Sequence, residues 1–158
     1  MHIMNNRWRK KKKLRGYTFS DLELWNASDT MAEFLLAILK EYKNMPRHGY
    51  PDMDEEVNSL KKWEAMLDKF IYTFDQIVRG YPDSPHNIAS KCMCDEHPDA
   101  YEWTVEEMDK DLSQMKFTRE DLHDQYFTNE VYKKEEQYRA EIAEGLRLFG
   151  KYFEAIWD

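Results

Sequence analysis

The sequence closes with an aromatic run, Leu146-Arg147-Leu148-Phe149-Gly150-Lys151-Tyr152-Phe153-Glu154-Ala155-Ile156-Trp157-Asp158. This run continues a segment from Thr128 with apolar residues at helical spacing, namely Val131, Tyr138, Ile142, Leu146, Phe149, Phe153, Ile156 and Trp157. Each large side chain removed from water contributes roughly 1.5–3 kcal/mol, so we expect this run to be packed. The pattern predicts one long helix over residues 128–158.

Two further segments show helical spacing. Ser28 or Asp29 can cap a helix that we expect to continue to about Lys43. A second helix is predicted over 54–79, and Gly80 follows it where a C-cap favours a left-handed backbone. The two apolar stripes are Met31, Phe34, Leu35, Ile38, Leu39 and Tyr42, and Val57, Leu60, Trp63, Leu67, Phe70, Ile71, Phe74, Ile77 and Val78.

Shorter helices are predicted at two capping boxes, residues 20–23 and 104–107. The second would carry Val105, Met108, Leu112 and Met115, and a further helical turn is expected from Thr118. Residues 80–103 contain three prolines and read as an irregular loop or an excursion with a short helix. The predicted fold class is all-α: a compact bundle of three main helices, with shorter helices and an irregular loop at about 80–103.

The composition supports a globular helical chain. Of 158 residues, 42% are apolar, and only five are Gly and five Pro, which is typical of helices rather than a barrel or sandwich. The longest apolar run, 34–39, is too short to span a bilayer, and the basic start has no apolar segment behind it, unlike a secretory signal. Two cysteines give no disulfide framework, which fits a reducing cytoplasm.

Charge divides the sequence into a basic arm, residues 1–16, and a single acidic domain, residues 17–158. The arm carries seven cations and no acid, whereas the whole chain has a net charge of −8, so the domain carries −15. Such an acidic domain repels duplex DNA. The arm has three open interpretations: a solvated or self-docking segment, a phosphate-binding segment, or a DNA- or RNA-contacting one.

The motifs for catalysis and metal binding are weak. His86, Cys92, Cys94 and His97 are potential zinc ligands, but a single residue separates the cysteines where structural zinc prefers two to four. Two free thiols are the simpler interpretation, with redox sensitivity as an alternative. The sequence has no Gly-rich phosphate loop, no H-E-x-x-H and no G-x-S-x-G. We therefore predict a protein without enzymatic activity, catalytic residues, metal or cofactor.

Five residues are candidates for ligand binding. Arg47 and His48 could donate to phosphate and Tyr50 could stack on a base, although the same turn could be a structural corner. Trp8 lies next to Arg9, so a base stacked on the indole could also meet a cation for its phosphate. The predicted ligand-binding residues are thus Trp8, Arg9, Arg47, His48 and Tyr50.

Several motifs, in order, resemble a widespread family of small helical proteins of tailed phages. They are Gly16-Tyr17, Trp25 with Asp29, Gly49-Tyr50-Pro51, Trp63 with Leu67-Asp68-x-x-Ile71-x-x-Phe74, and Leu148-Phe149-x-x-Tyr152-Phe153-x-x-x-Trp157-Asp158. The resemblance covers most of residues 15–79 and 140–158, and residues 83–130 fall outside it.

The family resemblance implies a function of immune evasion. Its members are similar to anti-CBASS sponge proteins, which bind host cyclic dinucleotides of the cyclic GMP-AMP type and hold them uncleaved. The resemblance implies a cyclic dinucleotide as ligand and a homo-oligomer as the assembly. The alternative is a phage structural or DNA-metabolism accessory protein that acts through protein–protein contacts.

Overall fold

The computed structural model describes residues 11–14, 17–20, 25–46, 50–51, 58–109, 112–117 and 119–156. Within them five α-helices, four of them long, confirm the predicted helical fold class. The helices are α1 Ala27–Asn44, α2 Leu60–Val78, α3 Pro85–Glu96, α4 Glu120–Tyr126 and α5 Asn129–Lys151, followed by a 3₁₀ helix, Glu154–Ile156. Four short strands are also present: β1 Lys11–Leu14, β2 Tyr17–Ser20, β3 Trp103–Asp109 and β4 Leu112–Phe117.

The chain divides into two compact units, residues 1–80 with 148–158, and residues 81–147. In the first unit, α1 and α2 pack together with the last described residues of the chain. Trp63 is fully buried at the centre, with its ring edge-to-face to Phe70 at 6.4 Å and to Tyr152 at 6.2 Å between centroids. Edge-to-face rings gain roughly 0.5–1.5 kcal/mol per pair beyond burial, so this aromatic centre holds the unit together.

The buried face of α1 agrees with the predicted stripe only in part, since Leu35 and Tyr42 of that stripe pack against the core. Ala32, Leu36 and Leu39 are buried, whereas Met31 is 62% exposed and Phe34 54% exposed. Apolar residues cover a wide arc of this helix, and α2 packs on one edge of that arc only. The predicted cap is also wrong, because the helix begins at Ala27, before Ser28 and Asp29.

Helix α2 begins later than predicted and ends as predicted. Ser59 is its N-cap, and the Ser59 hydroxyl accepts a hydrogen bond from the Lys62 N–H at 3.3 Å. Asn58 and Ser59 are therefore outside the helix, and residues 52–57 lie outside the described residues. Gly80 has φ = 70°, the left-handed conformation expected after a helix C-terminus.

Helix α5 confirms a long final helix, although it ends at Lys151, and the predicted Tyr138 and Ile142 are buried. Near its end and beyond it, the buried positions differ in part from the predicted stripe. Leu148 and Tyr152 are buried, whereas Leu146 and Phe153 are each 42% exposed. Gly145 occupies the buried position, and Leu146 follows it about 100° further around the helix. Trp157 lies outside the described residues.

Residues 80–117 depart most from the prediction. The expected loop contains α3, a 12-residue helix with Pro85 at its first position and Ser84 as N-cap. The helix predicted after the capping box at 104–107 is wrong. Strands β3 and β4 form an antiparallel hairpin there, with Val105 opposite Met115. The turn expected from Thr118 is confirmed as α4.

A second hairpin occupies part of the predicted basic arm. Strand β1 pairs antiparallel with β2, with Lys11 opposite Ser20 and Leu14 opposite Tyr17. Ser20 ends β2, and the other residues of the predicted capping box at 20–23 lie outside the described residues. In the part of the chain described here, no helix has the length and apolar character needed to cross a membrane.

Candidate functional site

The structure describes one of the five predicted ligand-binding residues. Tyr50 is 39% exposed, which leaves its ring accessible to solvent. Trp8, Arg9, Arg47 and His48 lie outside the described residues. Their grouping into one site therefore stays a prediction.

A pocket of about 530 Å³ lies in the second unit. Helix α3, the turns that follow it and helix α4 form its walls. The lining residues are His86, Met93, Ala100, Tyr101, Arg119, His123, Asp124 and Phe127. Most of the described lining is carbon, and its polar side-chain groups are one guanidinium, one carboxylate, one phenol hydroxyl and two imidazoles.

The floor of the pocket is a small apolar cluster. Met93 on α3, Ala100 in the following turn and Leu122 on α4 are buried against one another. Tyr126 and Phe127 pack against this cluster, and the Tyr126 hydroxyl donates to the Glu96 carboxylate. That hydrogen bond, the largest cause, raises the pKa of Tyr126 to about 12. The cluster and this hydrogen bond join α3 to α4 and fix the pocket.

Rings form one side of the pocket. The His86 ring is edge-to-face to Phe127, at 5.0 Å between centroids, and edge-to-face to Tyr132 at 5.1 Å. His123 stacks on Phe127 at 4.9 Å with an interplanar angle of 22°. The His86 Nε2 atom is buried and has no hydrogen-bond partner among the described residues. Phe127 therefore lies between two imidazoles.

Arg119 is the only Arg or Lys among the described residues of the lining. Its Nη1 donates to Asp99 at 3.3 Å, and its Nε and Nη2 donate to the two oxygens of Asp121 at 3.1 and 3.2 Å. The hydrogen bond from Arg119 holds the pKa of Asp121 below its usual value, and the bond to Asp121 raises the pKa of Arg119. The guanidinium is thus oriented as a planar fork by two carboxylates.

The start of α3, next to the pocket, is anchored by a buried carboxylate. Glu135 on α5 accepts from the Ser84 hydroxyl at 2.6 Å, from the His86 N–H at 3.2 Å and from Arg139 Nε at 2.7 Å. Burial is the largest single influence on Glu135 and raises its pKa. The hydrogen bonds from Ser84, His86 and Arg139 together outweigh it, so the pKa lies below its usual value. This network fixes the backbone that carries His86.

The potential metal ligands lie on and just after α3. Cys92 and Cys94 are free cysteines, and their separation of two residues directs them to different sides of the helix. His97 is the C-cap of α3, and its ring is edge-to-face to Tyr126 at 5.9 Å. Among the described residues, no group of three or more His, Cys, Asp or Glu side chains could hold a metal ion.

The sequence pointed to His86 and to a turn at Arg119, but not to the pocket that both residues line. The sequence feature that could have indicated this pocket is the irregular region rich in His, Cys and Pro, followed by a cation and aromatic residues. The chain matches no protein-family model, no curated protein and no solved structure.

Proposed function

We propose that this protein is a phage-encoded immune-evasion protein that sequesters a cyclic dinucleotide without cleaving it, and that the pocket of the second unit takes part in capture. The observation that carries the proposal is the combination of rings and an oriented guanidinium around one cavity. The resemblance to sponge proteins supplies the class of ligand. The proposed setting is the host-cell cytoplasm, and the proposed assembly is a homo-oligomer.

The size and chemistry of the pocket suit part of such a ligand. Small-molecule sites have volumes of about 300–1,000 Å³, and this cavity has about 530 Å³. Tyr101, His123 and Phe127 offer ring faces or edges to a base, since stacking on aromatic rings accepts any base. Arg119 offers paired donors that match two oxygens of a phosphate.

The acidic neighbours of Arg119 set a condition on this proposal. Asp121 is 66% exposed and Asp99 is 46% exposed, so both ion pairs are screened by solvent and stabilise the protein little. A phosphate can therefore replace one carboxylate on the guanidinium. Asp124 also lines the pocket and repels an anion. A phosphate-bearing ligand should consequently bind more tightly when Asp121 loses its charge.

This condition yields a pair of variants with opposite expected effects. Arg119→Gln should weaken capture of the ligand at least about tenfold, because it removes the phosphate donors. Asp121→Asn should strengthen capture, because it leaves the guanidinium less engaged. Isothermal calorimetry with cyclic GMP-AMP measures both affinities. If Arg119→Gln binds as tightly as the wild type, the pocket is not the capture site.

Sequestration is separated from cleavage by recovery of the ligand. The protein is incubated with a panel of cyclic di- and trinucleotides, the unbound fraction is measured, and the protein is then denatured by heat. A sponge depletes the ligand and returns it intact, whereas a phosphodiesterase returns product. A protein that depletes none of these nucleotides would refute the proposed function.

A second candidate function is that of a phage structural or DNA-metabolism accessory protein that acts through protein contacts. The observation that favours it is the exposed apolar surface of α1, where Met31 and Phe34 are more than half exposed. Exposed apolar patches often mark protein-interaction sites. This candidate predicts no depletion of any nucleotide in the recovery assay.

A further inference from the structure

The pocket of the second unit has one carboxylate on its described lining, that of Asp124. The side chain of Asp124 is fully exposed, so its carboxylate is accessible to a ligand, and its Oδ1 atom lies 3.3 Å from His123 Nδ1. For a ligand that binds only through a phosphate, this negative charge opposes binding. The carboxylate favours a ligand that donates hydrogen bonds to it, because an ionised carboxylate only accepts them.

A ring surface on which a base can stack lies next to this carboxylate. The His123 ring lies nearly parallel to the Phe127 ring, with 4.9 Å between centroids and 22° between planes. The His123 side chain is 58% exposed, so its imidazole has surface left for a third ring. A base placed there extends the stack, since bases stack on histidine and other aromatic side chains. The edge of such a base comes close to the neighbouring Asp124.

A donor for the phosphate lies on the same side of α4. Arg119 and His123 both line the pocket and are four positions apart, which is about one helical turn or roughly 6 Å along the axis. Arg119 offers paired N–H groups to phosphate oxygens. A single nucleotide unit can therefore place its phosphate at Arg119 and its base on His123.

The four bases differ in what their Watson–Crick edges offer to a carboxylate. Guanine presents two adjacent donors, the N1–H and the 2-amino group, and the two oxygens of a carboxylate can accept both. Adenine and cytosine present one donor next to an acceptor nitrogen, and uracil presents one donor between two carbonyl oxygens. An acceptor that faces a carboxylate is repelled. Guanine is therefore the base whose Watson–Crick edge complements Asp124.

We propose that Asp124 selects guanine, so that the pocket holds the guanine nucleotide of a cyclic dinucleotide. The base stacks on His123, its Watson–Crick edge donates to Asp124, and its phosphate accepts from Arg119. This inference rests on the proposed function, because it assigns the base of the ligand that is captured there. The selectivity has an attractive part, the paired donors of guanine, and a repulsive part, the acceptors of the other bases.

Calorimetry with three ligands tests the selectivity. They are cyclic di-GMP, cyclic di-AMP and cyclic di-IMP, whose hypoxanthine base lacks the 2-amino group of guanine. The wild type should bind cyclic di-GMP at least about fivefold more tightly than either of the others, because a good bidentate pair discriminates between bases by about this factor or more.

Asp124→Asn tests the role of the carboxylate directly. It replaces the carboxylate by an amide of the same shape, which presents one donor and one acceptor. The preference for cyclic di-GMP over cyclic di-AMP should fall at least about fivefold, since an amide complements adenine. The difference between cyclic di-GMP and cyclic di-IMP should largely disappear, because the 2-amino group then loses its acceptor.

Two further variants serve as controls. Asp95→Asn makes the same charge change at an exposed position of α3 that is not among the described lining residues, and it should leave the preference unchanged. His123→Ala should weaken the binding of cyclic di-GMP and of cyclic di-AMP, because it removes the surface on which either base stacks. Circular dichroism melts confirm that each variant is folded.

The outcomes separate base selection from nucleotide capture. If the wild type binds neither these ligands nor cyclic GMP-AMP, base selection is refuted together with the capture of cyclic dinucleotides. If it binds cyclic di-AMP as tightly as cyclic di-GMP, or if Asp124→Asn keeps the full preference for guanine, capture stands and Asp124 does not select the base. A preference that Asp95→Asn abolishes equally would be a general effect of charge and would also refute the role of Asp124.

Discussion

Replacement of Glu135 by alanine should destabilise the second unit while leaving its sequence of helices intact. The carboxylate is buried and accepts hydrogen bonds from the Ser84 hydroxyl, the His86 N–H and the Arg139 guanidinium. Two of these donors belong to the first residues of α3 and its cap. Glu135→Ala therefore removes the acceptor that holds the N-terminus of α3.

The magnitude follows from the donors that lose their acceptor. A buried polar group without a partner costs about 1–3 kcal/mol, and Ser84 and His86 each present one such group. Arg139 is mostly exposed, so water replaces its partner at little cost. The expected loss in the free energy of unfolding is about 2–6 kcal/mol at pH 7. Glu136→Ala, at the exposed neighbouring position, should change it by less than about 0.5 kcal/mol.

The lowered pKa of Glu135 also determines how its contribution to stability changes with pH. The pKa of Glu135 lies below its ordinary value of 4.5, because the hydrogen bonds outweigh the effect of burial. Folding therefore favours the ionised form. The stabilisation is fully present above the unfolded-state pKa and is lost as the pH falls through the lower pKa of the folded state. The difference between wild type and Glu135→Ala should thus be largest near neutral pH and shrink in acid.

Urea unfolding followed by circular dichroism at several pH values measures these differences. Hydrogen exchange at the Asn87 and Ile88 amides, whose acceptors are the Ser84 hydroxyl and carbonyl, reports on the first turn of α3. Glu135→Ala should increase exchange there. The reasoning would be refuted if Glu135→Ala were as stable as Glu136→Ala, or if its deficit were the same at pH 7 and in acid.

Three further predictions concern the first unit and the ligand. Trp63→Ala should cost about 3–5 kcal/mol in urea unfolding, since it empties the centre of a packed core. Gly80→Ala should lower stability by about 1 kcal/mol because φ is 70° there, whereas Gly150→Ala, in α5 with open space around it, should raise it slightly in the same assay. If the predicted site is correct, Tyr50→Ala and Arg9→Glu should each weaken nucleotide capture in calorimetry without changing the melting temperature.

Each of these predictions has a result that contradicts it. A loss below 1 kcal/mol for Trp63→Ala, on the order of an exposed substitution, would show that its aromatic cluster is not the centre of the core. Equal effects of Gly80→Ala and Gly150→Ala would remove the conformational explanation. Unchanged capture in both ligand variants would remove Tyr50 and Arg9 from the binding site.

The sequence was sufficient for the main helices because their apolar repeats are long. Helix α2 has 19 residues, and its stripe through Trp63, Leu67, Phe70 and Phe74 is buried as predicted. A repeat over five turns leaves little choice of face. Its start was less predictable, because the apolar repeat does not mark the first residue of the helix, which the Ser59 cap fixes through its hydrogen bond with the Lys62 N–H.

The apolar repeat alone could not predict which face of α1 is buried. Its apolar residues extend from Phe34 and Met31 around to Leu39 and Leu36, which is broader than one packing interface requires. The choice of edge depends on how α2 packs against it, and this is information that a single helix does not contain. The part of the predicted stripe that the structure leaves exposed, Met31 and Phe34, is the surface that favours the second candidate function.

The hairpin at 103–117 shows a different limit. Thr104–Glu107 has the residue types of a capping box, but Trp103, Thr104 and Val105 also favour strands. Strand β3 is stabilised by pairing with residues up to fourteen positions away, as in Trp103 opposite Phe117. Local capping chemistry therefore predicted the wrong element, since the pairing partner decides between the two.

The pocket could not be predicted from local sequence patterns. Its residues have no common periodicity, and they come from two helices and the turns between them. The charge around it limits how the proposed cyclic dinucleotide could be held. Residues 17–158 carry −15, and Arg119 already has two carboxylate partners, so net attraction at long range does not favour an anion. Under the proposed function, retention would rest on short-range contacts: a phosphate that displaces Asp121, and bases against the rings beside Phe127. A small number of oriented groups, rather than the overall field, would then determine which nucleotide is held.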